Sequence, residues 1–207
     1  MASTESTHIV QTCLGIDDFS QQNDIAALKV LIEYLTGLEG PFWKKIRGSG
    51  LSYGYTIYPS IEEGLIYFIL SKSASPVSAY HEAKSIIDSY LKKEIDFDQT
   101  SLDSAKSAVT YEIISHEETM HSACEVRFLN YLKKVSDDNN QKLIEKISNV
   151  TIEDLNLVLK KYLEKLFDKK TNLVIVTNTS KVKELKKDFK SENGIDLVVG
   201  DIDKFFK

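Results

Sequence analysis

The sequence contains little of the residue types that mark special classes of protein. Its 207 residues include two cysteines, three prolines and one tryptophan, and 26 basic residues are outnumbered by 31 acidic ones. Two cysteines cannot build a disulfide framework, which favours a reducing compartment. We therefore expect a cytoplasmic protein, or a mitochondrial one if a longer protein carries a transit peptide.

The charge and the apolar runs also limit the partners. The formal net charge is −5, and nucleic-acid-binding surfaces are usually basic, so we expect no nucleic-acid partner. No apolar run approaches the roughly 20 residues that a bilayer-spanning helix needs, so we expect no membrane partner either.

The hydrophobic periodicity predicts an α+β fold in which helices pack on one face of a mainly antiparallel sheet. With 42% hydrophobic residues and no low-complexity linker, residues 1–207 are expected to form a single domain. The β-rich segments predict strands at residues 8–16, 51–58, 64–71, 172–177 and 195–199. Helical spacing predicts helices from about residue 24, at 41–47, 76–91 and 98–131, around 143–147, from 151 to about 166, and after Thr179 or Ser180.

One apolar stripe with steps of three and four residues predicts a single long helix after Asp98. The stripe consists of Leu102, Ala105, Val109, Ile113, His116, Met120, Cys124, Phe128 and Tyr131. On this pattern His116 is expected to be a hydrogen-bonded core histidine, and Cys13 and Cys124 are expected to be small core residues.

Several catalytic motifs are absent from the chain. His116 and His121 are five residues apart, about 140° around a helix, so they cannot share one metal ion on an intact helix. The patterns H-x-x-E-H, G-x-S-x-G and G-x-G-x-x-G do not occur. We expect no metal site in this chain.

The segment at residues 38–54 (LEGPFWKKIRGSGLSYG) holds the strongest candidate site. A short helix beginning at Pro41 would place Arg47 at its C-terminal end, and a glycine-containing loop would return the chain to Tyr53 at the start of a strand. A guanidinium and a phenol both donate hydrogen bonds and suit an anionic or polarised carbonyl oxygen. The alternative is an arginine that packs its stem and a tyrosine that fills the core, and the residues alone leave both open.

The stretches EGPFW and IRGSGLSYG resemble the C-terminal half of pitrilysin/insulysin-type (inverted-zincin) metallopeptidases, most of all the branch that contains presequence protease and its cytosolic relatives. That family carries an R-x-x-G-x-x-Y-G-like arrangement, which Arg47, Gly50, Tyr53 and Gly54 match. The order of elements extends the resemblance over most of the chain, whereas residues 34–72 carry its specific signature.

The resemblance implies that the chain is the last domain of a four-domain peptidase whose two halves close around a peptide substrate. Zinc would be bound by the N-terminal catalytic half, which would be the partner of this domain, and the chain alone would be inactive. Arg47 and Tyr53 would contact the scissile carbonyl and stabilise the developing oxyanion. Gly50 and Gly54 would lie at substrate-binding positions.

Two other interpretations compete with this one. The chain could be a non-catalytic scaffold or assembly subunit of the same superfamily, although such members commonly lose the catalytic residues. It could also be an unrelated α+β binding domain, which predicts that Arg47 and Tyr53 point apart or are buried separately.

Overall fold

An antiparallel sheet forms one layer of the fold. The structure, a computed structural model, describes residues 6–168 and 171–200. Within them the strands pair in the order β2-β3-β1-β4, each antiparallel to its neighbours, with β2 at one edge. The strands are β1 (Thr7–Leu14), β2 (Ser52–Ser60), β3 (Leu65–Ser73) and β4 (Asn172–Val176).

Helices form the second layer, as the periodicity predicts. They are α1 (Gln22–Thr36), α2 (Pro76–Leu91), α3 (Gln99–Ser115), α4 (Met120–Leu132), α5 (Asn139–Ser148), α6 (Ile152–Val158) and α7 (Val182–Asn193). Two π-helical turns, Trp43–Arg47 and Leu159–Leu163, and a 3₁₀ turn, Thr179–Lys181, complete the elements.

The core lies between the helices and one face of the sheet. Alternate residues of β1 and β3, such as Ile9, Phe68 and Leu70, are fully buried against this layer, whereas their neighbours are only partly buried. This alternation is the period of two that a sheet covered on one side requires. The predicted α+β architecture is confirmed.

The prediction of a single long helix is wrong: α3 ends at Ser115, and a separate helix, α4, begins at Met120. Thr119 caps the new helix, because its side chain accepts a hydrogen bond from the Ser122 amide at 3.1 Å and the Ser122 hydroxyl accepts one from the Thr119 amide at 3.2 Å. The break turns the second half of the stripe toward solvent. His116 and Cys124 are therefore exposed rather than in the core, while Cys13 is buried as predicted.

Two strand predictions near the C-terminal end also need correction. Residues 195–199 form no strand, because Ile195 closes the end of α7 by donating to the Phe189 carbonyl at 3.1 Å, and Asp196 accepts a hydrogen bond from Lys190 at 2.9 Å. The strand predicted at residues 172–177 is confirmed as β4; the short apolar run NLVIVT is typical of a buried strand, but Val174 is 58% exposed. In the described ranges, no helix has both the length and the hydrophobicity required to cross a membrane.

Candidate functional site

Arg47 is the last residue of the first π-helical turn. Phe42 and Ile46 anchor this turn, since both side chains are fully buried. The Gly48 amide closes it by donating to the Trp43 carbonyl at 2.8 Å. The inner side of the turn is therefore held in the core, and Arg47 lies exposed at the C-terminal end of the turn.

The loop after Arg47 is held at both ends. Gly50 has φ +71°, a left-handed conformation that glycine adopts without strain, and its amide donates to the Arg47 carbonyl at 2.9 Å. The Leu51 carbonyl accepts the backbone amides of Ala74 and Ser75, each at 3.1 Å. These bonds fasten the loop to the end of β3 and set the start of β2.

Tyr53, the second residue of β2, meets Arg47 on the surface. Its side chain is 64% exposed, and the Arg47 Cζ lies 4.9 Å from the centroid of its ring. This distance is within the range of a cation–π interaction. The two side chains therefore converge at an exposed edge, which disfavours the interpretation as an unrelated domain with separated residues.

Gly54 lies close to the side chain of Ser71 on β3. A Cβ at this position would collide with the Ser71 hydroxyl. Two residues earlier, the single proton of the Ser52 hydroxyl is shared between the carbonyls of Gly54 at 3.0 Å and Ser71 at 3.1 Å. The structure thus gives a backbone reason for the identity of Gly50, and the contact of Gly50 and Gly54 with a substrate stays a prediction.

Tyr55 and Lys72 also lie at this site, and the sequence analysis did not single them out. The Tyr55 ring packs 5.9 Å from the Phe42 ring, and burial raises the pKa of the Tyr55 phenol against an opposing effect of the Arg47 charge. The Lys72 Nζ lies 5.6 Å from the Tyr53 ring centroid. The predicted strand ended at Ser71, one residue before this lysine.

The described residues form no metal centre at this site. The part of the chain that the structure describes contains no group of three or more His, Cys, Asp or Glu residues that could hold a metal ion. His116 and His121 are both exposed, on either side of the break between α3 and α4. The residues present do not fit a zinc site. A cavity of about 290 Å³ lies elsewhere, where α4 approaches α1 and α5, and it does not include Arg47 or Tyr53.

Comparison by sequence finds relatives in yeasts and a nematode. No family model matches the chain. It is 28% identical over 195 residues to the uncharacterized protein C3H1.02c of Schizosaccharomyces pombe, covering 93% of this chain and 19% of that protein. It is also 28% identical over 198 residues to the uncharacterized protein C05D11.1 of Caenorhabditis elegans, covering 95% of this chain and 20% of that protein. The chain therefore spans about a fifth of the length of the curated relatives it matches.

Comparison by structure finds peptidase domains. The peptidase M16 inactive domain from Pseudomonas fluorescens superposes with a TM-score of 0.65 at 20% identity, over 85% of this chain and 41% of that one. A protease from Helicobacter pylori gives a TM-score of 0.69 at 15% identity, over 86% of this chain and 42% of that one. The periplasmic protease PqqL from Escherichia coli gives 0.64 at 11% identity, over 86% of this chain and 20% of that one. The chain thus has the fold of domains found in M16-type peptidases.

Proposed function

We propose that this chain is the C-terminal, substrate-binding domain of a zinc metalloendopeptidase, in which Arg47 and Tyr53 contact the scissile carbonyl of a peptide. The observation that carries the proposal is the convergence of these two exposed side chains, with the Arg47 Cζ 4.9 Å from the Tyr53 ring centroid, on a fold shared with M16-type peptidase domains. The expected place in the presequence-protease branch, as the last of four domains, belongs to the same proposal.

The geometry suits stabilisation of a developing negative charge. The Arg47 guanidinium carries fixed N–H donors and a permanent positive charge, and the Tyr53 hydroxyl is a second donor. Donors that are already in position lower the energy of an oxyanion without reorganising as it forms. The anchored turn before Arg47 and the tethered loop after it provide that preorganisation.

The remainder of the site belongs, in this proposal, to another part of a longer protein. The described residues contain no group of three or more side chains that could hold zinc, so the zinc and the activated water would come from the N-terminal catalytic half. An apolar face on α4 supports such a partner, because Met120, Phe128 and Tyr131 are between 60% and 88% exposed. Contiguous exposed apolar side chains of this size usually mark an interaction surface.

The test is peptide hydrolysis by the full-length protein that contains this chain. Arg47→Ala and Tyr53→Phe are each expected to lower kcat/KM by about 100-fold or more, as loss of one oxyanion donor does in other enzymes. Tyr53→Phe keeps the ring under Arg47 and removes only the hydroxyl, so it separates hydrogen bonding from packing. Lys44→Ala is the matched control, since Lys44 is an exposed cation of the same turn.

Unchanged turnover in both variants would refute the role of the pair in the reaction. An intact full-length protein that binds its partners and hydrolyses no peptide would instead identify the chain as a scaffold or assembly domain of the same superfamily.

A further inference from the structure

The cavity of about 290 Å³ lies along one face of α4, away from Arg47 and Tyr53. Four residues of α4 line it at a spacing of three and four, which places them on one side of the helix. They are Val126, Leu129, Asn130 and Lys133. Residues of α1, α3, α5 and the turn between β2 and β3 line the remainder of the cavity. This side of α4 therefore borders open space instead of packing directly on the other helices.

Asn130 is the one residue of α4 that is buried, and only 7% of it is exposed. Its side-chain amide forms no hydrogen bond with any residue that the structure describes. Asn130 lines the cavity, so the small surface that it keeps faces that space. Buried polar groups nearly always have a hydrogen-bond partner. The partner of this amide is therefore expected to come from the cavity.

Lys29 of α1 also lines the cavity without a partner. It is partly buried, and it forms neither an ion pair nor a hydrogen bond with the described residues. The other lysine of the cavity differs, because the Lys133 ammonium binds the Glu62 carboxylate at 2.8 Å. The positive charge of Lys29 is therefore the one that stays uncompensated among the described residues of the cavity, apart from the exposed His116 at its edge.

The remaining amides of the cavity are already paired. The Gln22 amide donates to the Asn139 carbonyl oxygen of the side chain at 3.0 Å, and the Asn140 amide donates to the Glu117 carboxylate at 2.5 Å. Among the described residues that line the cavity and are at least partly buried, the free polar groups are thus one ammonium and one amide.

The walls around these two groups are apolar. Ile25, Ile113 and Leu143 line the cavity from α1, α3 and α5, and each is buried. Apolar walls with a small number of polar groups are typical of ligand pockets, whose volumes run from roughly 300 to 1,000 Å³. An ammonium has only donors, and an amide has both donors and an acceptor. A small apolar molecule with a negatively charged acceptor matches this combination.

We propose that this cavity binds a small apolar carboxylic acid. The apolar part of the ligand lies against Ile25, Ile113 and Leu143, Lys29 compensates the charge of the carboxylate, and the amide of Asn130 gains the hydrogen-bond partner that the chain does not supply. A charge acts over a distance whereas a hydrogen bond requires contact, so the two roles do not require one shared ligand atom. The site goes beyond the proposed peptidase function and does not depend on it.

The probes are 4-phenylbutyrate and its uncharged counterpart 4-phenylbutyramide, and isothermal titration calorimetry on the full-length protein measures their binding. The two molecules share the ring and the chain and differ in charge. The acid is expected to bind about tenfold tighter than the amide or more, since a hydrogen bond or contact with a charged group contributes more than a neutral one.

Lys29→Gln is expected to weaken binding of the acid by about tenfold and to leave binding of the amide unchanged. Lys44→Gln is the matched control, because Lys44 is an exposed cation that does not line the cavity. It should change the binding of neither probe.

Asn130→Leu tests the unpaired amide. Without ligand, we expect the variant to keep or raise the thermal midpoint, because a buried amide without a partner opposes folding, and to bind both probes more weakly. Asn130→Asp has nearly the same size and places a negative charge at the cavity, so it should weaken binding of the acid more than binding of the amide. This second variant keeps the test decisive if leucine does not fit.

Absence of binding by the acid, equal affinity for acid and amide, or unchanged affinity of Lys29→Gln for the acid would each overturn the proposal. A lower thermal midpoint of Asn130→Leu with unchanged affinity for both probes would also overturn it, because the amide would then serve the fold and not a ligand. Peptide hydrolysis in the same variants is expected to stay at the wild-type level, since the cavity does not include Arg47 or Tyr53.

Discussion

At the scale of single residues, Glu33 of α1 links stability to pH. Burial raises the pKa of its carboxyl group, and the neighbouring charge of Glu112 raises it further. A raised pKa means that the folded state holds the proton more tightly than the unfolded state. The contribution of Glu33 to stability is therefore fully present below the unfolded pKa and is lost as the pH rises through the folded pKa.

Above its pKa, the buried Glu33 carboxylate carries a charge that destabilises the folded state, and Glu33→Gln removes that charge. We therefore expect the variant to have a higher thermal midpoint at about pH 7 and a nearly unchanged one at about pH 3, where the carboxyl is protonated in both states. Thermal unfolding of the chain and the variant at both pH values measures the effect. A gain of the same size at both pH values would show that charge is not its cause.

Tyr80 carries a buried hydroxyl that lacks a hydrogen-bond partner among the described residues, as does the Gln11 Oε1. The ring is fully buried among Phe68, Phe167 and Phe189. Burial raises the pKa of the phenol to about 12 against an opposing effect of the nearby Gln11 side chain, which does not reach hydrogen-bonding geometry. A buried unsatisfied polar group opposes folding. Removing the hydroxyl while keeping the ring should therefore remove an unfavourable contribution to the free energy of folding.

We expect Tyr80→Phe to leave the free energy of unfolding unchanged or to raise it by up to about 1 kcal/mol. Tyr34→Phe is the matched comparison and should lose about 1 kcal/mol, because the Tyr34 hydroxyl donates to the Asp98 carboxylate at 3.2 Å. Urea denaturation gives both values. A loss in Tyr80→Phe as large as that in Tyr34→Phe would mean that Gln11 does accept from the hydroxyl.

At the scale of secondary-structure elements, α3 and α4 divide one apolar stripe into a buried half and an exposed half. Leu102 of α3 is 1% exposed and Phe128 of α4 is 60% exposed. Leu102→Ala is expected to cost about 2–5 kcal/mol because it leaves a cavity. Phe128→Ala should change the stability of this chain by no more than about 0.5 kcal/mol. A large loss in Phe128→Ala, measured by urea denaturation, would place this face of α4 in the core.

The break between these helices shows which secondary-structure elements the apolar periodicity predicts and which it misses. Spacing alone predicts α1, α2, the buried face of α3 and a helix from residue 151, where the structure has a capping box between Thr151 and Asp154. The capping box at Thr119 has Ser122 in place of the usual Glu or Gln, so the sequence lacks the common box pattern there. The uninterrupted apolar spacing therefore predicts one helix across this point. The predicted strand at residues 51–58 stops before Pro59, whereas β2 continues to Ser60. Proline lacks a backbone donor, and the position of β2 at the sheet edge allows Pro59 to lie in the strand.

The candidate site was predictable only where it depends on sequence order. Arg47 and Tyr53 are close because a short helix, a glycine loop and a strand follow one another, and local rules anticipate that arrangement. Lys72 reaches the same place from β3, because the register of β2 and β3 pairs Ser52 with Ser73 and Gly54 with Ser71 and so sets Lys72 opposite Tyr53. No local spacing rule encodes that register.

At the scale of the whole molecule, we expect the chain alone to hydrolyse no peptide when zinc is added, because its described residues lack a metal site. Activity should arise when the chain is mixed with the remaining part of the full-length protein. A peptidase assay with zinc on each part and on the mixture tests this. Hydrolysis by the chain alone would contradict the prediction, and an inactive mixture shown to associate would favour a scaffold role.

The position of Trp43 has a practical consequence. It is the sole tryptophan of the chain, and it begins the anchored turn that ends at Arg47. Selective excitation of the indole in this chain therefore reports on that turn alone, undisturbed by signals from distant helices. A titration with peptide can follow the intrinsic emission without an attached dye, and the protein itself supplies an optical reading of whether the ligand reaches Arg47.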